Sequence, residues 1–171
     1  MELTIIEIKA KVPNQEEIRD TLKKNNAIFR GFDVQKDIYF NVPRGKLKIR
    51  RGSIKSYLVY YEREDKKGPK KSNIIRIESL DSELEKLLKT SLGVLIEVNK
   101  KRENYFIDNI KFHIDDVTDL GKFVEIEAVG ENQEIDKLRE QCEYYTSMLG
   151  IDQSSLISGS YSDLLLKIRE K

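Results

Sequence analysis

The chain has 171 residues, enough to bury a substantial core in one domain, and 36% of them are charged. The formal net charge of +1 is not that of a nucleic-acid-binding protein, so any anion site must come from local arrangement. The single Cys142 excludes an internal disulfide, and the single His113 excludes a multi-histidine metal site. Neither a signal peptide nor an apolar run of membrane-spanning length is apparent, so we expect a cytoplasmic protein without a membrane partner.

The first half of the chain is predicted to be rich in strands. A strand over 1–12 precedes a helix that begins at the N-cap Asn14, with Glu17 as its capping-box partner, and ends near Asn25. Further strands are predicted at 33–42, 46–51, 57–64 and 73–79. Between the last two lies the charged loop 65–72, whose lysines, Lys70 among them, are expected to be mobile and solvated.

The second half combines helices with a β-hairpin. Asp81 caps a helix that stops at Gly93, and strands follow at 94–106, 111–117 and 123–128. Two helices close the chain, the first capped by Asn132 and ended by Gly150, the second opened by a Ser160–Asp163 capping box. Eight mostly sequential strands with inserted helices favour an α+β fold built on an antiparallel barrel, with residues 1–171 forming one domain.

Charged residues alternate with apolar residues in several predicted strands. In the hairpin, Lys111, His113 and Asp115 share one face, while Phe112, Ile114 and, past an expected irregularity, Val117 take the other. Glu125 and Glu127 project together, and such carboxylates are suitable ligands for a hard divalent cation. Alternation normally places charges in solvent, whereas charges inside a barrel are costly unless they are paired or bind an ionic ligand. The pattern alone leaves both orientations open.

An ordered set of short motifs resembles the CYTH superfamily, the triphosphate tunnel metalloenzymes. The motifs are Glu7-Ile-Lys9, Gln35-Lys-Asp-Ile-Tyr-Phe40, Leu47-Lys-Ile-Arg50, His113-Ile-Asp-Asp-Val-Thr-Asp-Leu-Gly121, Phe123-Val-Glu-Ile-Glu127 and Ser160-Tyr-Ser-Asp-Leu-Leu165. The resemblance implies an eight-stranded antiparallel tunnel with the charged face inward and helices outside. It also implies a triphosphate-containing small molecule as the ligand, Mg2+ or Mn2+ as the cofactor, and a homodimer.

The resemblance also implies roles for individual residues. Metal would be held by Glu7, Glu125 and Glu127, and phosphate oxygens would be bound by Lys9, Lys48, Arg50, Arg63, Lys100, Arg102 and Lys111. Catalytic roles fall to Asp115, Lys9 and Arg50, whereas the neighbouring Arg51 and Lys101 are expected to point outward.

Two departures from the family pattern bear on activity. Ile5 replaces the first glutamate of the N-terminal signature, which removes a carboxylate from the expected metal site. Tyr60-Tyr61-Glu62-Arg63 replaces a lysine followed by Gly-Pro in the fourth strand, so we expect that a phosphate contact is either lost or moved to Arg63.

Three functions are compatible with the sequence. The first is hydrolysis of the terminal phosphate of tripolyphosphate, thiamine triphosphate or a nucleotide. The second is class IV adenylate cyclase activity, and the third is binding of polyphosphate without catalysis. Because no Gly-rich phosphate loop is present, charged side chains rather than backbone amides are expected to hold the phosphates.

Overall fold

The computed structural model describes residues 2–131 and 134–171. Its strands are β1 (Glu2–Lys11), β2 (Ile28–Phe40), β3 (Lys46–Gly52), β4 (Tyr57–Arg63), β5 (Lys70–Ile77), β6 (Val94–Ile107), β7 (Ile110–Val117) and β8 (Gly121–Gly130). Its helices are α1 (Gln15–Lys24), α2 (Ser82–Leu92), α3 (Ile135–Met148) and α4 (Tyr161–Arg169). The strands close into an antiparallel barrel in the order β1-β5-β4-β3-β2-β6-β7-β8, which confirms the predicted α+β barrel.

Helices cover the apolar outer faces of the strands that meet where β8 closes onto β1. Ile6, Phe112 and Ile126 are fully buried there, in one cluster with Leu22 of α1 and Cys142 of α3. Because strand side chains alternate, placing the apolar residues under helices turns the intervening charged residues toward the barrel interior. The outer helices therefore explain why the usual orientation of an antiparallel sheet is reversed here.

One end of the barrel interior is filled by apolar side chains. Val98, Val117 and Phe123 pack there with Tyr161 and Leu165 of α4, and the rings of Phe123 and Tyr161 have centroids 5.0 Å apart. α4 thus stabilises this end of the barrel and leaves the rest of the interior to polar groups. In the described residues, no helix has the length and apolar character needed to cross a bilayer.

The helix termini follow the predicted capping residues closely. Asp81 accepts a hydrogen bond from the Glu83 amide, and Ser160 with Asp163 forms the predicted capping box of α4. Asn14 caps α1 by accepting from the Glu16 amide. Its side-chain amide donates to the Glu17 carboxylate, so the predicted capping box at this helix is replaced by a side-chain contact. The predicted cap Asn132 lies outside the described residues.

Two strands begin earlier than their sequences indicate. β2 starts at Ile28 and crosses an irregularity at Gly31, whose φ of 113° is easily adopted only by glycine. β5 starts at Lys70, which pairs with Glu7 of β1, so Lys70 is not part of a solvated loop. In β2 the glycine interrupts the sequence pattern, and in β5 the first residues are polar, so in both cases the strand extends through its pairing with distant strands.

The irregularity expected before Val117 is also absent. β7 keeps an unbroken register with β6 and β8 from Ile110 to Val117. Val117 therefore lies on the same face as His113 and Asp115, and the prediction that it joins Phe112 and Ile114 is wrong. Its apolar character suits the barrel end, where it packs inside rather than under a helix.

Candidate functional site

The inward faces of the strands surround a cavity of about 370 Å³. Of the described residues that line it, ten are lysine or arginine and four are aspartate or glutamate. The wall is therefore strongly cationic, although the whole chain has a net charge of only +1. Enclosed charge of one sign raises the local concentration of the opposite ion, so this cavity is suited to a multivalent anion.

Asp37 of β2 organises the largest group of cations. Its carboxylate accepts two hydrogen bonds of 2.7 Å from the Arg50 guanidinium and one of 2.7 Å from Lys48 Nζ, and Lys100 Nζ lies 3.4 Å away. Burial alone would raise the pKa of Asp37, but attraction to Arg50, Lys100 and Lys48 outweighs it and holds the pKa well below its usual range. Burial, followed by repulsion from Arg50, lowers the pKa of Lys100 well below its usual range. One carboxylate thus holds three cations from two neighbouring strands at the cavity wall.

Arg102 of β6 forms a second network with β7 and β8, on the side of β6 that faces away from β2. Its guanidinium donates to both oxygens of Asp115 at 2.7 and 2.6 Å, and to Glu125 at 2.8 Å. The Tyr161 hydroxyl donates to Asp115 at 2.7 Å. Asp115 is fully buried, and both of its oxygens accept hydrogen bonds. Because both oxygens of Asp115 bind the guanidinium, Asp115 fixes the orientation of Arg102.

β1 brings Lys9 and Glu7 to the same interior. Lys9 Nζ lies 3.1 Å from Glu125 and 3.9 Å from the centre of the Tyr161 ring. Glu7 accepts a hydrogen bond from Arg63 of β4. Arg63 lines the cavity, and its ion pair engages the carboxylate for which the resemblance implies a metal-binding role.

Lys70 is a buried cation that the sequence analysis placed in solvent. It is 0% exposed, and its Nζ donates to the carbonyl groups of Ile157 and Ser158 at 2.9 and 2.7 Å. Burial, with repulsion from Arg63, lowers its pKa to about 8. These hydrogen bonds tie the segment before α4 to the barrel wall.

A carboxylate–imidazole cluster consists of His113, Glu125 and Glu127 on the neighbouring strands β7 and β8. His113 Nδ1 lies 3.4 Å from Glu125 Oε2 and 3.7 Å from Glu127 Oε1. One donor atom from each residue falls within 4.8 Å of the other two. Attraction to Lys9 and Arg102 outweighs the effect of burial and holds the pKa of Glu125 well below its usual range. This cluster is the part of the cavity best suited to a divalent cation.

The predicted binding residues all line the cavity. They are Glu7, Lys9, Lys48, Arg50, Arg63, Lys100, Arg102, Lys111, Glu125 and Glu127. Asp115 lies behind Arg102, whose guanidinium donates to both of its oxygens. Of the two residues expected to point outward, Lys101 is exposed and Arg51 forms a 2.7 Å ion pair with Glu85 of α2. The structure thus gathers the candidate residues at one place, while their individual roles stay predictions.

Two parts of the arrangement were missed by the sequence analysis. Asp37 was not chosen as a site residue, although it alternates in phase with Gln35 and Tyr39. His113 was seen to share a face with Asp115, but its approach to both glutamates depends on the register between β7 and β8. The alternation that turns Gln35 and Tyr39 inward would have indicated that Asp37 also faces the interior.

A closed antiparallel barrel with basic and acidic side chains turned inward is the architecture of a triphosphate tunnel. The sequence model of the CYTH domain matches residues 4–161, so the chain belongs to the CYTH domain family. A protein of Methanocaldococcus jannaschii that is provisionally named an adenylate cyclase is 30% identical over 175 residues, covering 93% of this chain and 97% of the relative.

Solved structures show the same fold. The PH1012 protein of Pyrococcus horikoshii superposes with a TM-score of 0.80 and 26% identity, covering 96% of this chain and 99% of that protein. A Hippeastrum protein provisionally named an adenylyl cyclase, and described as having a dominant triphosphatase activity, gives a TM-score of 0.67 at 13% identity. The alignment covers 99% of this chain and 96% of that protein, and at this identity the likeness concerns the fold alone.

Proposed function

We propose that the protein is a divalent-metal-dependent triphosphatase that releases the terminal phosphate of tripolyphosphate or of an organic triphosphate. The observation that carries the proposal is the cationic wall beside the carboxylate–imidazole cluster, within one cavity of about 370 Å³. Each phosphate group contributes roughly one to two negative charges near neutral pH, so a triphosphate matches the excess of cations.

The cations of the wall are arranged to hold several phosphate groups at once. Arg50 and Arg102 are nearly fully buried on different strands, and each is oriented by a buried aspartate. A guanidinium held in this way keeps its remaining N–H groups pointing in a defined direction, where they can donate to phosphate oxygens. Lys48 and Lys100 add point charges beside Arg50. The buried lining reduces screening by water, so each of these contacts is stronger than on an open surface.

The residues of the carboxylate–imidazole cluster fit a divalent cation. In this proposal Glu125 and Glu127 hold it, and Glu7 lies on the adjacent strand in register with Glu127. A bound divalent ion would supply charge neutralisation at the phosphate oxygens, which phosphoryl transfer requires more than covalent help.

Lys9 and Arg50 complete the proposed site by neutralising charge on the transferring phosphoryl group. Lys9 approaches from β1 next to Glu125, and Arg50 approaches from β3 next to Asp37. Cations fixed before the reaction need little reorganisation as charge develops in the transition state. Asp115 acts through Arg102 in this scheme, as a positioning residue.

Class IV adenylate cyclase activity is a second candidate, favoured by the name of the Methanocaldococcus jannaschii relative and its match over 93% of this chain. The same cavity would then bind ATP so that the ribose 3′-oxygen attacks the α-phosphorus and pyrophosphate leaves. The two reactions share the site and differ in which phosphorus atom is attacked.

A metal-by-substrate panel tests the proposal and separates the candidates. Tripolyphosphate, thiamine triphosphate and ATP are each incubated with Mg2+ or Mn2+, and phosphate, pyrophosphate and cyclic AMP are quantified. We expect release of phosphate from at least one of the three. Cyclic AMP and pyrophosphate from ATP would identify the cyclase instead, and tight binding of tripolyphosphate without any product would indicate a binding module.

A matched pair of variants links the activity to the interior. Arg50→Met removes an inward guanidinium, while Arg51→Met removes the neighbouring outward one that pairs with Glu85. Loss of a charged hydrogen-bond partner costs about 1.5–3 kcal/mol, so we expect R50M to lower kcat/KM roughly 10-fold or more. R51M should stay close to the wild type. Equal losses in both variants would contradict an interior site.

A further inference from the structure

The carboxylate–imidazole cluster contains a nitrogen donor, and this feature bears on which metal it selects. His113 is 6% exposed and lines the cavity with Glu125 and Glu127. Its Nδ1 atom, rather than Nε2, is the ring nitrogen that faces the two carboxylates. We propose that His113 Nδ1 is a metal ligand beside Glu125 and Glu127, and that the site therefore prefers Mn2+ or another transition-metal ion to Mg2+. This inference rests on the proposed function.

The distances within the cluster agree with shared coordination. Ligand atoms about 2.1 Å from one ion are about 3.0 Å apart when they are adjacent in an octahedron and about 4.2 Å apart when they are opposite. The observed separations from Nδ1, 3.4 and 3.7 Å, fall between these limits. Both are long for a hydrogen bond, so the three side chains converge without satisfying one another strongly.

Charge at the cluster also favours a cation. Among residues 2–131 and 134–171, no lysine or arginine forms an ion pair with Glu127, whose carboxylate lies 3.7 Å from His113 Nδ1, whereas Glu125 is paired with Lys9 and Arg102. A largely buried carboxylate without a lysine or arginine partner is costly unless another positive group neutralises it. A divalent cation at this point would provide that positive charge.

β1 presents one carboxylate, Glu7, beside the cluster, so a donor from β7 would enlarge a small set of ligands. Of its inward residues beside the cluster, Ile5 is apolar, Glu7 is engaged by Arg63, and Lys9 is a cation. The carboxylates of β8 therefore need another donor, and the register places His113 directly opposite Glu125. Imidazole suits transition metals better than it suits Mg2+, which prefers oxygen ligands.

The single histidine makes a direct test feasible. Untagged protein is loaded with Mn2+, and electron spin echo envelope modulation reports whether nitrogen is bound to the ion. We expect ¹⁴N modulation typical of a coordinated imidazole, and its replacement by the ¹⁵N pattern when the protein is made with ¹⁵N-histidine. Because His113 is the only histidine of the chain, isotope labelling assigns the signal without any substitution. Absence of nitrogen modulation, or a ¹⁴N pattern that stays unchanged in protein made with ¹⁵N-histidine, would overturn the inference.

Affinity measurements provide a second readout. The wild type should bind Mn2+ at least 10-fold more tightly than Mg2+ in calorimetric titrations, and His113→Asn should weaken Mn2+ binding by roughly 10-fold or more while changing Mg2+ binding much less. Asp116→Asn, on an exposed residue of the same strand, is the control and should leave both affinities within about 3-fold. Equal losses of Mn2+ and Mg2+ binding in H113N would count against the inference.

The outcomes separate this inference from the proposed function. Phosphate release by wild-type protein whose Mn2+ shows no nitrogen ligand would refute the role of His113 and leave the triphosphatase standing. Nitrogen-ligated Mn2+ in a protein that turns over no triphosphate would support the metal site and refute the triphosphatase.

Discussion

Replacing Asp37 by asparagine removes the negative charge on which three cations of the interior converge. The substitution preserves the size of the side chain, so it leaves no large cavity. Arg50, Lys48 and Lys100 would remain buried, with exposures of 7%, 9% and 4%, but without the carboxylate that neutralises them. D37N therefore isolates the electrostatic contribution of one buried carboxylate.

The expected loss of stability is large. Removing one partner of a buried ion pair typically costs about 3–5 kcal/mol, because the other partner is left uncompensated. For a chain of 150–250 residues, each kcal/mol lowers the melting temperature by about 2–4 °C, so a decrease of roughly 6–20 °C is expected. Thermal unfolding followed by far-ultraviolet circular dichroism, together with urea unfolding, measures the change.

Asp116→Asn is the matched control for this experiment. Asp116 lies on β7 and is exposed, so D116N makes the same chemical change on the opposite side of the barrel wall. Its effect should stay within about 0.5 kcal/mol, as for most surface substitutions. A loss below about 1 kcal/mol in D37N, or equal losses in both variants, would refute the role assigned to Asp37.

Three further predictions concern stability, reactivity and metal. Burial raises the pKa of Asp163, but the hydrogen bonds from Lys46 and Ser160 together outweigh burial and lower it to about 2, so the stabilising contribution of Asp163 is present above pH 3.8 and is lost as the pH falls toward 2. The difference in unfolding free energy between wild type and Asp163→Asn should shrink over that interval in urea titrations, and a constant difference would contradict this. Cys142 is fully buried and burial raises its pKa to about 12, so a thiol reagent should label it only as urea unfolds the protein; rapid labelling in native buffer would show that α3 opens readily. Chelation by EDTA should abolish phosphate release, and added Mn2+ should restore it, whereas release that persists in EDTA would exclude metal dependence.

Much of the barrel could be predicted from local patterns. The alternation in β1 separates Ile6 and Ile8 from Glu7 and Lys9, and the structure places these pairs on opposite faces. Which face lies inside could not be derived from that pattern, because alternation is the same for both orientations. The orientation of the strands depends on α1 and α3, which bury the apolar face from outside. From the sequence, only the family resemblance indicated that the charged face lies inside.

The contacts inside the cavity could not be predicted because they join residues that are distant in the chain. Arg63 forms a hydrogen bond with Glu7, which is 56 residues away in the sequence, and Lys70 forms one with Ile157, which is 87 residues away. Val117 was misplaced for a related reason, since its neighbours at the barrel end come from β6, β8 and α4. Strand register and barrel closure, rather than residue type, decide these partners.

Binding of tripolyphosphate to two adjacent lysine variants tests the central claim, that the inward cations form one anion-binding wall. Lys100→Met removes an inward cation and Lys101→Met an exposed outward one, and both change the net charge equally. In calorimetric titrations, K100M should weaken binding about 10-fold or more, in line with the loss of a charged contact, while K101M stays within about 2-fold of the wild type. Equal affinities of K100M and K101M for tripolyphosphate would contradict an interior site.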